Sequence, residues 1–226
     1  VAKLVVFGAG DIARLAHFYF TTDSEHDVAA FTVDAAYRQA DSFAGLPLVP
    51  FDRVAEHYPP DLYKMFVALS YAKMNDVRAA KYAEAKALGY ELVSYVSSRC
   101  SFLATLPPGD NCFILEDNTV QPFVRIGNDV TLWSGNHIGH DSTIDDHCFI
   151  SSHVVVSGHV HVHRHCFIGV NATLRNAIRV AEYTLIGAGA VVMKDTSPRS
   201  VYIGTRTRPF EKSSETIGSI SGLSST

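Results

Sequence analysis

Every sixth residue from Ile114 to Val192 is Ile, Leu or Val, fourteen positions in succession with no interruption. A strict period of six fits neither the 3.6-residue turn of a helix nor the simple alternation of a half-buried strand. It marks a repeat architecture and predicts a parallel β-helix. Written from Ile126, the hexads run IGNDVT, LWSGNH, IGHDST, IDDHCF, ISSHVV, VSGHVH and onward to IGAGAV. Their first position is aliphatic and their fifth is mostly small or β-branched, as at Val130, Ser142, Cys148, Val154 and Ala172, so both are expected to point inward. Three hexads close one triangular coil, and coils stack about 4.8 Å apart like neighbouring strands of any sheet. Each residue therefore lies beneath the one eighteen positions further on.

The first half follows another rhythm. An apolar run at 3–7 (KLVVF) ends in Gly8-Ala9-Gly10 and leads into a helical stretch from Asp11 to Phe20. Further strands are predicted from Val28 to Val33, ending at Asp34, and from Lys64 to Leu69. A helix follows, with Asn75 as N-cap and a stop at Gly89. Strands alternating with helices imply a small parallel sheet. The expected organisation is an α/β Rossmann-like domain over 1–98, a β-helix over 99–205 and a tail over 206–226 rich in Ser and Gly. Terminal coils lack covering repeats, so the α/β domain is expected to cap one end and the segment after Val192 to close the other. Outward apolar residues such as Trp133, Phe149 and Phe167 suggest a cyclic trimer that buries them.

Composition narrows the partners. The chain has 226 residues and a formal net charge of −4, with no basic stripe of the kind that neutralises phosphates, which argues against nucleic acid. No apolar run reaches the length of a membrane span, and the opening VAKLVVFGAG reads as a strand rather than a signal peptide. Four cysteines without paired close spacing suggest reduced thiols in a cytoplasmic protein.

Three places invite chemistry. The turn at Gly8 and Gly10 would aim backbone N–H groups and a helix N-terminus at a phosphate, with Asp34 at the end of the next strand to meet a ribose or base. Ala13 in the third glycine's place and the charge of Asp11 weaken a redox-dinucleotide reading, and a purely structural strand-to-helix turn remains the alternative. Eight of the eleven histidines lie between His137 and His165, but a zinc site needs three or four converging ligands. Stacking by eighteen pairs His147 with His165 on the outside and Cys148 with Cys166 on the inside, so no mixed site forms within one chain and no metal is expected, a site shared across a trimer interface being the alternative. His140 differs, because it precedes Asp141 and stacks under Gly158. A base beside an unobstructed backbone amide is what acyl transfer requires around one carbonyl. Asp141 either holds a ring nitrogen of His140 or pairs with His159, which stacks above it.

The opening FGAGDIA, the gapless hexads, NHIGHDSTIDDHCFIS, SGHV and the closing IGAGAVVMKDTSPRSVYIG together resemble the bacterial nucleotide-sugar N-acetyltransferases of the bacillosamine and perosamine type, and the related sialic-acid O-acetyltransferases. The resemblance covers residues 3–205. It implies a left-handed β-helix, a homotrimer, and acetyl-CoA as co-substrate with a nucleotide-linked sugar as acceptor. It also implies His140 as general base with Asp141 beside it, and the Gly158 amide as holder of the thioester carbonyl. Asn171, Gly187, Ala188 and Gly189 would neighbour coenzyme A, while Gly8, Gly10, Asp34, Ser70 and Lys73 would hold the nucleotide. A second histidine of some members aligns with Phe149, with His153 near it, and Arg206 and Arg208 either meet the CoA phosphates or are solvated. The implied reaction is N-acetylation by direct attack on the thioester. The alternatives are O-acetylation and a non-catalytic nucleotide-binding scaffold.

Overall fold

The structure, a computed structural model, describes residues 3–205, 207–209, 211 and 213. Arg206 and most of the remaining tail thus lie outside the described residues. The first apolar run forms β1 (Lys3–Phe7), followed by α1 (Asp11–Thr22) and β2 (Asp27–Val33). A short hairpin then adds β3 (Ser42–Phe43) and β4 (Leu46–Pro50), and a single helical turn, α2 (Val54–His57), leads to β5 (Tyr63–Val67) and α3 (Asp76–Ala87). The sheet order is β3-β4-β2-β1-β5, so the chain leaves β1 to one side and returns on the other. The hairpin escaped the sequence reading because Pro47 and Pro50 speak against a strand. Its signal is the two-residue turn at Ala44 and Gly45, both with positive φ.

From Tyr95 onward the chain winds into three parallel sheets of two-residue strands, with seven, six and four members. The predicted offset is realised: Thr131 pairs with Phe149, His137 with Val155, and Thr143 with His161. Inward aliphatic positions such as Ile138, Ile144, Val156 and Ile168 are fully buried, as are the fifth-position Val130, Ser142, Cys148 and Ala172. All four cysteines are free. Val201–Tyr202 pairs with Leu185–Ile186 and extends the seven-stranded sheet past the last hexad, as expected for a closing segment.

The coil corners explain the histidines. Asp129, Asp141, His147, His153, His159, His165 and Asn171 all have φ between 55° and 61°, each at the fourth place of its hexad. Asp, Asn and His tolerate the left-handed region better than most residues, so much of the histidine cluster reflects corner geometry. The corners form three columns. Asp129, His147, His165 and Tyr183 run along one edge, His153, Asn171 and Gly189 along a second, and Asp141, His159 and Ala177 along the third.

The α/β domain does more than cap an end. It lies along the seven-stranded sheet, where the Tyr71 ring packs on Phe149 and Phe167 at 5.0 and 4.7 Å. Trp133 packs against the α/β core that contains Phe66 and Phe113. The apolar face expected to need a second copy is therefore covered within the same chain. Asn75 occupies the start of α3 with φ 70°, but its side chain does not cap the helix. Instead it donates to the Cys166 carbonyl and accepts from Arg78. Arg78, 1% exposed, forms an ion pair with fully buried Asp129 at 3.0 Å. Asp129 also accepts from Asn111 and faces Nδ1 of His147. No helix among the described residues is long and apolar enough to cross a membrane.

Candidate active site

His140 lies on the corner between the six- and four-stranded sheets, in the hexad that turns at Asp141. Its backbone N–H donates to Gln121 Oε1 at 2.8 Å, which fixes the segment. The ring places Nδ1 2.8 Å from Asp141 Oδ2. An Nδ1–H donated to this carboxylate leaves Nε2 with its lone pair free. That atom looks at Gly158: a Cβ built there would stand 2.7 Å from Nε2 and 2.9 Å from Cε1. Glycine is thus a steric requirement of the histidine's position.

Ladder bonds take the neighbouring amides, with Ser157 N–H donating to Leu174 O and His159 N–H to His140 O. The Gly158 amide has no hydrogen-bond partner among the described residues, and it shares this with other third-place amides such as those of Ser134, Asp146 and Ser152, whereas Asn128 and His140 give theirs to side chains. His159 approaches Asp141 from above, with Nε2 3.9 Å from Oδ2 and its ring 5.0 Å from that of His140. Both relationships foreseen for Asp141 are present, and the contact to His140 is much the shorter. The side chains of His140 and Asp141 are about half exposed (51% and 41%), open to a substrate.

The residues assigned to coenzyme A stand elsewhere. Asn171 and Gly189 share the second corner column, and Gly187 and Ala188 lie beside Gly189 at the late coils. A Cβ on Gly169 would meet Ala188 N at 2.6 Å, so these coils are closely stacked. A cavity of about 300 Å³ opens between Gly189–Val192 and Tyr202–Thr205. One chain does not bring this column to His140. Phe149, where a second histidine was considered, is buried under Tyr71, and His153 packs against Gly135 on the second corner.

In the α/β domain, Gly8, Gly10 and Asp34 line one cavity of about 340 Å³ with Tyr37, Leu69 and Lys81. It sits where the chain diverges from β1, the usual ligand crevice of such sheets. Gly8 has φ 129°, and a Cβ there would meet Ala68 O at 2.7 Å, whereas Gly10 has open space around it. Ser70 and Lys73 do not line the cavity. The Ser70 carbonyl accepts from Arg78, and Lys73 begins a left-handed run with Met74 and Asn75. Lys81, which the sequence reading missed, donates to Asp34 at 2.7 Å and also to Glu84. Burial opposes its charge, but these two carboxylates outweigh burial and raise its pKa. A helix-face lysine has no signal in sequence beyond its position in α3.

Residues 123–158, which include His140, Asp141 and Gly158, match the bacterial transferase hexapeptide family (six repeats). The chain is a hexapeptide-repeat β-helix protein. Among curated proteins this β-helix protein is similar to UDP-N-acetylglucosamine O-acyltransferases named for an acyl-carrier-protein donor. It is 25% identical to that of Burkholderia lata and 24% to that of Burkholderia mallei, over 84 residues in each case. The matched stretch is 37% of this chain and 32% of those proteins, so it spans about a third of the curated relatives' length. Solved structures resemble it over nearly its whole length. PerB from Caulobacter crescentus, in complex with CoA and GDP-perosamine, matches with a TM-score of 0.79 and 21% identity, covering 90% of this chain and 95% of that one. The acetyltransferase domain of PglB from Neisseria gonorrhoeae gives 0.77 and 21%, covering 93% and 100%. WeeI from Acinetobacter baumannii gives 0.76 and 18%, covering 90% and 97%. At these identities the likeness is one of fold.

Proposed function

We propose that the protein transfers an acetyl group from acetyl-CoA to the amine of a nucleotide-linked amino sugar. The observation that carries this reading is the His140 ring, held by Asp141 through Nδ1, with Nε2 standing over Gly158 where a side chain would clash, next to a backbone amide that no other group takes. His140, neutral, takes a proton from the attacking amine at Nε2, and the imidazolium that forms is stabilised by Asp141. The Gly158 N–H donates to the oxygen of the tetrahedral intermediate, which then collapses with loss of the CoA thiolate. No acyl-enzyme is needed. The cavity at Gly8, Gly10 and Asp34 supplies a place for the nucleotide in a domain without a redox fingerprint, and the complex of PerB with CoA and GDP-perosamine supports that pairing of ligands on this fold.

The coenzyme would run along the column of Asn171 and Gly189, with Gly187 and Ala188. Because that column and His140 occupy different corners of one prism, a cyclic trimer is the arrangement that would bring them together across a subunit boundary. Val155 and Val191 on the six-stranded sheet, 39% and 64% exposed, are the apolar side chains such an interface would bury. The name of the curated relatives favours one second reading, O-acylation of a sugar hydroxyl by the same base. A CoA-release assay on His140→Ala tests the core: turnover is expected to fall about 100- to 10,000-fold, and near-normal turnover overturns it. A panel of nucleotide-linked amino and hydroxy sugars then separates the two acceptors.

A further inference from the structure

On the four-stranded face of the β-helix, away from His140, two rings and a carboxylate converge. His161 Nε2 lies 3.0 Å from both oxygens of Asp145, and His163 Nδ1 lies 3.2 Å from Oδ2. The two rings, two residues apart on one face of a strand, stack with centroids 4.0 Å apart. One donor atom from each residue falls within 4.8 Å of the others. We propose that Asp145, His161 and His163 bind a divalent transition-metal ion of the zinc class, which ties together two successive coils.

The donor set is two imidazole nitrogens and one carboxylate, the mixture that zinc, cobalt and nickel favour and that magnesium and calcium do not. Donors on a tetrahedral ion with bonds of about 2.0–2.1 Å stand roughly 3.3 Å apart, close to the two separations between ring nitrogens and carboxylate already present. The frame is rigid. The backbone N–H groups of Asp145, His161 and His163 donate to Val162, Ile178 and Val180 at 2.8, 3.0 and 2.8 Å. Each side chain is about one-third exposed, so a fourth position stays open to water. In the metal-free protein the carboxylate accepts N–H bonds from the rings. A metal would take the ring lone pairs at the same atoms, and each neutral imidazole would then carry its single proton on the other nitrogen.

The placement explains why stacking by eighteen did not reveal the group. Asp145 lies beneath His163 by that rule, but His161 reaches the carboxylate from the preceding strand position. Arg179 is the next rung to His161 in the ladder, and its charge opposes a cation. Removing it should tighten binding.

The test uses the untagged full chain after chelator treatment, with zinc, cobalt and magnesium added separately. Zinc uptake near one per chain by equilibrium dialysis is expected, with a ligand-field absorption band for cobalt and no uptake of magnesium. Zinc should raise the melting temperature by roughly 5–10 °C at about a hundredfold excess over Kd. Asp145→Asn and His163→Gln, both conservative surface changes, should abolish uptake, whereas His140→Ala should retain it. Absence of zinc uptake by the unaltered chain, uptake undiminished in Asp145→Asn and His163→Gln, or loss in His140→Ala equal to theirs overturns the proposal. The CoA-release assay reads none of these quantities, so the acetyltransferase reading stands or falls separately.

Discussion

Two histidines of one prism, His140 and His147, show how similar repeats yield different surroundings. Above His147 by one coil stands a second histidine, His165, with ring centroids 4.9 Å apart, and Arg78 of α3 and Asp129 complete a packed junction. Above His140 stands Gly158, which puts no side chain next to Nε2, with Asn176 Oδ1 one coil further on. In both cases a ring nitrogen is held by an aspartate at 2.8 Å. The aspartate therefore does not distinguish the proposed base from a packed histidine. The residue one coil higher, and the presence or absence of a helix pressed on the corner, do.

The difference can be broken first at the junction. Arg78→Ala leaves Asp129 buried without its cation and should destabilise the protein by about 3–5 kcal/mol, lowering the melting temperature by roughly 6–20 °C. A calorimetric scan checks this. Next, Gly158→Ala places a Cβ 2.7 Å from Nε2, displaces the His140 ring and should cut CoA release about 100-fold or more with little change in melting temperature. If it instead lowered stability and spared turnover, the open corner would be structural. Asp141→Asn should slow turnover by a smaller factor and change its pH profile, whereas His159→Ala should leave both close to normal, because its contact to Asp141 is long.

The smallest effect is read by pH at the covered corner, through His165. Burial and the neighbouring His147 lower the pKa of His165, more than the Met74 carbonyl and Asp76 raise it. Its folded value thus lies below the unfolded value of about 6.5, and the unfolded chain binds the proton more tightly. The stabilisation from neutral His165 is complete above that value and is lost as pH falls. Urea midpoints measured from pH 7.5 down to pH 5 should therefore decline, and the decline should be shallower in His165→Gln.

The repeat was legible in sequence because each hexad makes the same local decision: an aliphatic residue inward, a small one beside it, a left-handed corner between. That fixed the stacking, and stacking put His140 against Gly158. What was not legible lay between elements distant in the chain. Trp133, Phe149 and Phe167 look like a bare face until Tyr71 and the α/β core settle on them. Asn75 looks like a helix cap until its side chain is taken by Cys166 O. Lys81 carries no motif, yet it stands across the cavity from the glycine turn and neutralises Asp34.

The sequence by itself determined the β-helix, the coil register and the pairing of His140 with Gly158, since a periodic fold turns spacing along the chain directly into neighbours in space. Tertiary structure decided which corner is covered and which is open. Those outcomes depend on how α3 and Tyr71 dock against the prism, through contacts such as Arg78 to Asp129 that no period relates.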